Sequence, residues 1–306
     1  MPTLVSARFI GSAAARAIEA DPTSATVHSL FDRALNLTTA AGTLVAIVRA
    51  DAARGPLALV TDLPAARRLT ALGITPGAAA RREGSYLDIG GRLRVALAGA
   101  EVWRARIDLR APVAGEAALQ ANRAAAREAL LRRGRAGGLL PLAGQMVWLA
   151  SGVNSPPAAA TGFVRAAARC IAGLAGAVRS GDAAQTGAAV RGLIGLGPGA
   201  TPSGDDFLIG LLAALWGAPG EHGLMAQTVA HAVTAELPGR TTWFSEQWLR
   251  CAARGEVAEP VADAVEAALT ASTSRRVADA FRRLCDMGET SGTDTAVGVA
   301  LGIELA

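Results

Sequence analysis

The residues best placed to do chemistry fall in one stretch, Gly195-Leu196-Gly197-Pro198-Gly199-Ala200-Thr201-Pro202-Ser203-Gly204-Asp205-Asp206-Phe207-Leu208-Ile209-Gly210. Glycine and proline as far as Gly199 rule out a helix interior and spell a loop. Thr201 precedes Pro202 and is therefore held to extended backbone. Ser203 then predicts a helix N-cap, and Asp206, three residues on, completes a capping box with it. The apolar run 207–216 predicts a buried helix behind that cap. The stretch gathers the backbone N–H groups around Gly197, Gly199, Thr201 and Gly204, and the positive end of a helix, at one point. Such an arrangement suits an anion.

The pattern returns near the C-terminus. Ser291-Gly292-Thr293-Asp294-Thr295-Ala296-Val297-Gly298 repeats Ser203-Gly204-Asp205-Asp206-Phe207-Leu208-Ile209-Gly210 at Ser, at Gly, at the fourth-position Asp and at the eighth-position Gly. In each copy the second Gly lies one helical turn past the Asp, where a missing side chain lets another backbone come close. The repeat predicts two paired helices whose starts face one site, with Asp206 and Asp294 together. Two ordinary caps on two core helices would use the same residues. Ser180-Gly181-Asp182, with Gly187 in the eighth position, reads as such a cap and has no special loop before it. The Gly-Pro-Gly loop is what sets the central stretch apart.

A third segment, Leu237-Pro238-Gly239-Arg240-Thr241-Thr242-Trp243-Phe244-Ser245, opens another helix after a Pro-Gly turn. Arg240 stands just before that helix, and Thr241 or Thr242 can cap it. An Arg beside two hydroxyls at a helix start suits a phosphate or a carboxylate, although a capped helix with a surface Arg needs no more than this. The chain contains no Lys, and all 30 basic residues are Arg. Schiff-base chemistry and a phosphate-loop lysine are thereby excluded. His222 and His231 lack the spacing of a metal-binding pair, and His28 reads as structural.

These segments need a scaffold to hold them. With 306 residues, 51% of them apolar, the chain can build two cored domains. No apolar run is long enough for a membrane span, and no secretory leader is expected. Cys170, Cys251 and Cys285 are widely spaced and read as reduced thiols of a cytoplasmic protein. A net charge of +4 with few aromatics argues against nucleic acid as a partner. Arg81-Arg82 and Arg132-Arg133 read as solvated faces.

Residues 1–112 are expected to form a β-rich domain, a small sandwich or barrel, and residues 113–306 an all-helical one, an α+β chain overall. Strands are expected at 27–31, 43–48, 57–61, 85–89, 92–98 and 102–109, with Gly90-Gly91 as a tight hairpin turn. Short helices are expected at 13–20 and 64–72. The composition shifts near Pro112 to Ala, Leu, Arg and Glu. Helices are then expected at 116–133, 158–178, 182–194, 208–216, 224–236, 242–254, 261–270, 275–285 and 293–305. The Gly-rich loop and both Ser-Gly turns belong to this second domain.

The central stretch resembles the signature of a bacterial family long known only as a domain of unknown function. One branch of that family is the third subunit of the oxamate carbamoyltransferase of anaerobic allantoin breakdown. The resemblance extends to Arg240-Thr241-Thr242 with Ser245, to Gly288-Glu289-Thr290-Ser291-Gly292-Thr293-Asp294, and to Val27-His28-Ser29-Leu30-Phe31 with Asn36-Leu37. Glu289 is a departure, since many relatives are expected to carry His there. The resemblance implies a subunit of a multi-protein transferase in purine degradation, with an acyl-CoA-synthetase-like partner and a further subunit. It implies a reversible reaction of oxamate and carbamoyl phosphate to give oxalurate and phosphate.

The residues can be weighed against that chemistry. Carbamoyl transfer needs a phosphate held by N–H donors and a cation, and a carbonyl polarised toward an oxyanion. Gly197, Gly199, Thr201, Ser203 and Gly204, with Thr241, Thr242, Ser291 and Gly292, are the expected anion and substrate contacts, and Arg240 is the cation. Asp205, Asp206 and Asp294 are the candidate carboxylates for the amide proton, Asp205 being the freer if Asp206 serves a reciprocal cap. A carboxylate beside a phosphate is repulsive, by about 4 kcal/mol at about 4 Å and an effective dielectric of about 20. Either Arg240 or a divalent metal would bridge them, or the aspartates only cap helices. No cofactor is expected; Mg²⁺ on Asp205, Asp206 and Asp294, in a hydrolase, is one alternative, and a non-catalytic assembly subunit is the other.

Overall fold

The computed structural model describes residues 1–20, 25–109, 111–154, 157–158, 160–220 and 222–305. The chain divides into two compact units, Met1–Ala105 and Arg106–Ala306.

The first unit is an eight-stranded closed barrel with an added strand. Its strands are β1 (Thr3–Gly11), β2 (Ala25–Leu30), β3 (Ala34–Thr39), β4 (Leu44–Val48), β5 (Ala58–Thr61), β6 (Ala79–Glu83), β7 (Tyr86–Ile89), β8 (Leu93–Ala96) and β9 (Glu101–Trp103), with helix α1 (Ser12–Ala20) after the first. They run in the order β5-β4-β3-β2-β6-β7-β8-β1, and β1 pairs back onto β5. The length of β1 makes this closure: residues 3–6 pair in parallel with β8, and residues 7–10 pair antiparallel with β5 across a register shift between Ala7 and Phe9. β9 continues along β1 beyond β8. Closure leaves no unpaired edge in the ring. Val5, Leu35, Leu37, Ile47, Leu59, Ile89, Leu93 and Val95 fill the buried core. Gly90 and Gly91 both take positive φ in the three-residue turn 90–92 between the paired strands β7 and β8, the tight hairpin their sequence predicts.

Three strands, β1, β3 and β6, were not expected from the sequence. Arg8 interrupts the apolar pattern of β1 next to the register shift, and β6 buries only Ala80. Residues 104–109 do not extend β9, and the expected helix at 64–72 is only a 3₁₀ turn at Leu69–Leu72.

The second unit is helical: α2 (Glu116–Arg133), α3 (Met146–Ala150), α4 (Gly162–Ser180), α5 (Ala183–Leu193), α6 (Ser203–Gly217), α7 (His222–Glu236), α8 (Trp243–Ala253), α9 (Glu259–Thr270), α10 (Ser274–Cys285) and α11 (Ser291–Leu305). α6 and α11 lie at its centre. α11 is buried without a break from Gly292 to Ile303, and of α6 only Ile209 and Trp216 are less than buried. A helix apolar on all sides must be enclosed by others. The Asn122 amide of α2 donates to Ala268 O and Ala271 O at the end of α9, and Arg123 donates to Ile303 O of α11. These bonds fix α2, and so the loop that follows it. No helix among the described residues is long and apolar enough to cross a membrane.

Candidate functional site

α6 and α11 touch backbone to backbone. A Cβ on Gly210 would come within 1.9 Å of Thr295 O and 2.8 Å of Val299 N. A Cβ on Gly298 would come within 2.0 Å of Phe207 O and 2.9 Å of Leu211 N. Gly210 and Gly298 match in the repeat, as do Phe207 with Thr295 and Leu211 with Val299, so the crossing is reciprocal about a local two-fold axis.

The two helix starts are seated alike. Gly204 N–H donates to Leu196 O at 2.8 Å, and Gly292 N–H donates to Met287 O at 3.1 Å. A Cβ on Gly204 would meet Leu193 O at 2.1 Å, and one on Gly292 would meet Leu284 O at 2.0 Å. Each helix therefore begins hard against the end of the helix before it, α5 or α10, and only glycine fits at the joint.

The expected capping box is not formed. Pro202 is the N-cap of α6, and Ser203 is already its first helical residue. The N–H groups of Asp205 and Asp206 bond to Pro202 O. This start places both carboxylates inside the helix instead of at its cap. Asp182 of the third Ser-Gly-Asp shows what a plain cap looks like: it precedes α5 and accepts from Gln185 N–H at 2.9 Å.

The three buried carboxylates have different partners. Asp205 is fully buried; its Oδ1 accepts Gly195 N–H at 2.8 Å, and its Oδ2 accepts the Thr241 hydroxyl. It is the tied carboxylate, not the freer one, because the loop folds back onto it. Burial raises its pKa against the lowering by Thr241, Gly195 and Ser245. Asp206 is 4% exposed, and its Oδ2 is buried without a hydrogen-bond partner among the described residues. The Thr201 and Ser291 hydroxyls lie near it but bond to each other, at 2.7 Å. Burial holds the Asp206 pKa well above the ordinary value; the charges of Asp294 and Asp205 add to this, and the Ser291 and Thr201 hydroxyls oppose it.

Asp294 is fully buried, and its Oδ1 accepts Leu139 N–H at 2.6 Å. Its Oδ2, like that of Asp206, has no partner among the described residues. Burial raises its pKa, while the Leu139 N–H and the Ser203 and Thr290 hydroxyls lower it. Hydroxyls of both starts thus stand beside each carboxyl: Ser291 and Thr201 by Asp206, and Ser203 and Thr290 by Asp294.

The sequence did not reveal the segment over Asp294. A Cβ on Gly138 would lie 2.2 Å from Asp294 Oδ1, so only glycine lets the chain cross there. Arg135 N–H donates to Thr293 Oγ1 at 2.9 Å, and the Arg135 side chain to Gly288 O. The only signal was the Gly137-Gly138 pair, which reads as a helix end; yet α2 is already closed by Gly134 N–H on Leu130 O. Glu289 is exposed in the loop before α11.

The Gly-rich loop is open. Gly195, Gly197 and Gly199 all take positive φ, and Pro198 to Ala200 are exposed. The N–H groups of Gly197, Gly199, Ala200, Thr201 and Ser203 have no protein acceptor among the described residues. Thr242 caps α8 by accepting Ser245 N–H at 3.2 Å, and its own hydroxyl donates to Ala200 O. Ser245 Oγ is buried beside Asp205 and meets no partner at hydrogen-bond distance among the described residues. The Arg240 backbone presses on Gly195, while its guanidinium lies 3.7 Å from Glu236. Among the described residues, no group of three His, Cys, Asp or Glu side chains is arranged to hold a metal ion, and Asp205, Asp206 and Asp294 are no exception.

Comparison with known families gives two matches. Residues 4–102 match the AllH family N-terminal domain, and residues 193–303 match the oxamate carbamoyltransferase subunit AllH. The first spans the barrel; the second contains both helix starts and the Arg240 segment. No solved structure matches the chain.

Proposed function

The chain belongs to the AllH family, and from that premise we propose that it is a substrate-binding subunit of a cytoplasmic carbamoyltransferase complex. The reaction is the joining of oxamate and carbamoyl phosphate to oxalurate and phosphate, run in reverse during allantoin catabolism. The partners are an acyl-CoA-synthetase-like subunit and a further subunit. One observation carries the reading: two buried carboxylates, Asp206 and Asp294, each with an unpartnered oxygen, stand at paired helix starts beside a loop of unused N–H donors.

The loop from Gly197 to Ser203 receives the anion through those N–H groups. Arg240 supplies the cation. Its present partner Glu236 is already held by two Arg191 bonds of 2.7 Å, so turning away from a 3.7 Å pair costs Arg240 little. Arg240 relieves the repulsion between aspartate and phosphate. Burial raises the pKa of Asp206, so its ionised form is a stronger base than an exposed carboxylate. As the amide nitrogen attacks the carbamoyl carbon, the N–C bond forms and the C–O bond to phosphate breaks. The amide proton passes to Asp206, and phosphate leaves with the electron pair.

Phosphate titrated into the full chain by calorimetry should bind. Arg240→Ala should weaken it by about 1.5–3 kcal/mol, the scale of a charged hydrogen bond. Unchanged phosphate affinity in that variant contradicts the assigned site.

A further inference from the structure

Helix α10 carries two pairs of adjacent arginines, Arg275-Arg276 and Arg282-Arg283. The pairs lie roughly two helical turns apart, so each repeats on the same two flanks of the helix. On one flank the arginines meet acids of the neighbouring helix α9: Arg276 lies 3.4 Å from Glu266, and Arg283 lies 3.7 Å from Asp263. On the other flank the neighbour is α2, which answers with more arginine. There Arg275 and Arg282 border a cleft of about 360 Å³ and share it with Arg132 and Arg133.

The cleft is not neutralised from within. Its only carboxylates are Glu128 and Asp279. Glu128 pairs with Arg132 at 2.6 Å along α2, where both side chains are exposed. Asp279 stands 3.9 Å from Arg275 and 3.8 Å from Arg282, too far for a hydrogen bond to either, and Arg282 comes only within 3.9 Å of Asp286. Arg133 has no ion pair among the described residues. Exposed pairs of this kind hold a guanidinium weakly, so all four can turn to a new partner.

The shape says what kind of anion fits. Ala125 and Ala129 are buried and Ala278 is half-buried, so the floor is small and apolar. A groove between two helices with such a floor lets a third helix come close. No aromatic side chain lines it to stack a nucleotide base. Nor do the arginines converge on one point, as around a phosphate: Arg275 and Arg282 lie roughly 10 Å apart along the α10 axis.

Resting on the reading of this chain as a subunit of a complex, we infer that the α2–α10 cleft docks an acidic helix of a partner subunit. α9 shows the fit from within the chain, since Asp263 and Glu266, one turn apart, meet Arg283 and Arg276. The partner's helix lays carboxylates at that same spacing between Arg275 and Arg282 on one bank and Arg132 and Arg133 on the other. Docking there is next to the candidate site: the loop after α2 crosses Asp294, and α10 ends against Gly292.

Sedimentation of the full chain with its purified partner subunits reads the docking. Arg132→Glu/Arg275→Glu alters exposed side chains; it should melt like the wild type and weaken assembly at least about tenfold. Arg132→Gln/Arg275→Gln removes the charges without reversing them and should weaken assembly less, in the same direction. Arg81→Glu/Arg92→Glu makes the same charge reversal on exposed barrel residues and should leave assembly unchanged. Undiminished assembly in both cleft variants overturns the docking surface, while phosphate binding at residues 197–203, measured separately, leaves the proposed function standing. An equal loss in the barrel variant assigns the effect to net charge and also overturns it. If the cleft instead holds a phosphorylated small molecule, inorganic tripolyphosphate binds the wild-type chain and not the Glu variant, and assembly is untouched; that outcome overturns the helix. Failure of the wild-type chain to assemble with the partner subunits overturns both readings.

Discussion

The two helix starts share a motif and a seat but differ in what covers them. At α6 the preceding loop is open, with Pro198 to Ala200 exposed and N–H groups unused. At α11 the start is closed: residues 134–139 lie over it, Gly138 crosses Asp294, and Leu139 N–H fills Oδ1. Even the third position diverges. Asp205 binds Gly195 of its own loop, whereas Thr293 binds Arg135 from another part of the chain. One start thus leaves its N–H groups open, and at the other the carboxyl is covered and held by Leu139 N–H. The two starts share their packing and differ in their cover. The third copy, at α5, has neither feature: its Asp182 is a plain cap and its Gly187 faces open space.

That contrast can be broken at the glycines first. Gly298→Ala drives a methyl into Phe207 O and should cost about 3 kcal/mol or more, at the upper end of overpacking penalties. Denaturant unfolding measures it, and a loss below about 1 kcal/mol would show that the helices part easily. A smaller effect separates the carboxylates by pH. The native Asp206 pKa is raised above 3.8, so the folded state keeps its proton to higher pH than the unfolded chain does. Stability should therefore fall as pH rises from 3.8 through the raised native value. Asp206→Asn should remove its share of this slope and gain stability relative to the wild type as pH rises above 3.8. Parallel curves for the two proteins would count against a buried, protonated Asp206. The smallest effect is the control. Gly187→Ala meets nothing and should stabilise by about 0.5–1 kcal/mol, and a loss there would erase the distinction between the repeats.

Much of this was legible because it is local. The helices of the second unit follow from apolar periodicity and strong helix formers, and the repeat of Ser, Gly, Asp and Gly pointed to α6 and α11 as a pair. Barrel strands with regular alternation or clear turns, such as β7 and β8, were legible too. β6 was not, since its Arg81 and Arg82 bury nothing and only pairing with β2 and β7 makes it a strand. The sequence misplaced the cap: Ser203 has the right chemistry, but Pro202 takes the position and the hydroxyl serves Asp294. Which aspartate would be tied was also hidden, because it depends on Gly195 folding back. Gly138 and Leu139 were invisible as site residues; their role exists only through contact with a helix far along the chain.

The central claim is that the paired starts are a working site and not two caps. Asp294→Asn tests it most directly, because the amide keeps an oxygen for Leu139 N–H and changes only the unpartnered side. Thermal melting and turnover should be measured on this one variant in the assembled complex. The account predicts a melting temperature close to the wild type and turnover reduced more than about tenfold, equivalent to about 1.4 kcal/mol of barrier. Turnover that falls only in step with melting would make the aspartates structural and contradict the account.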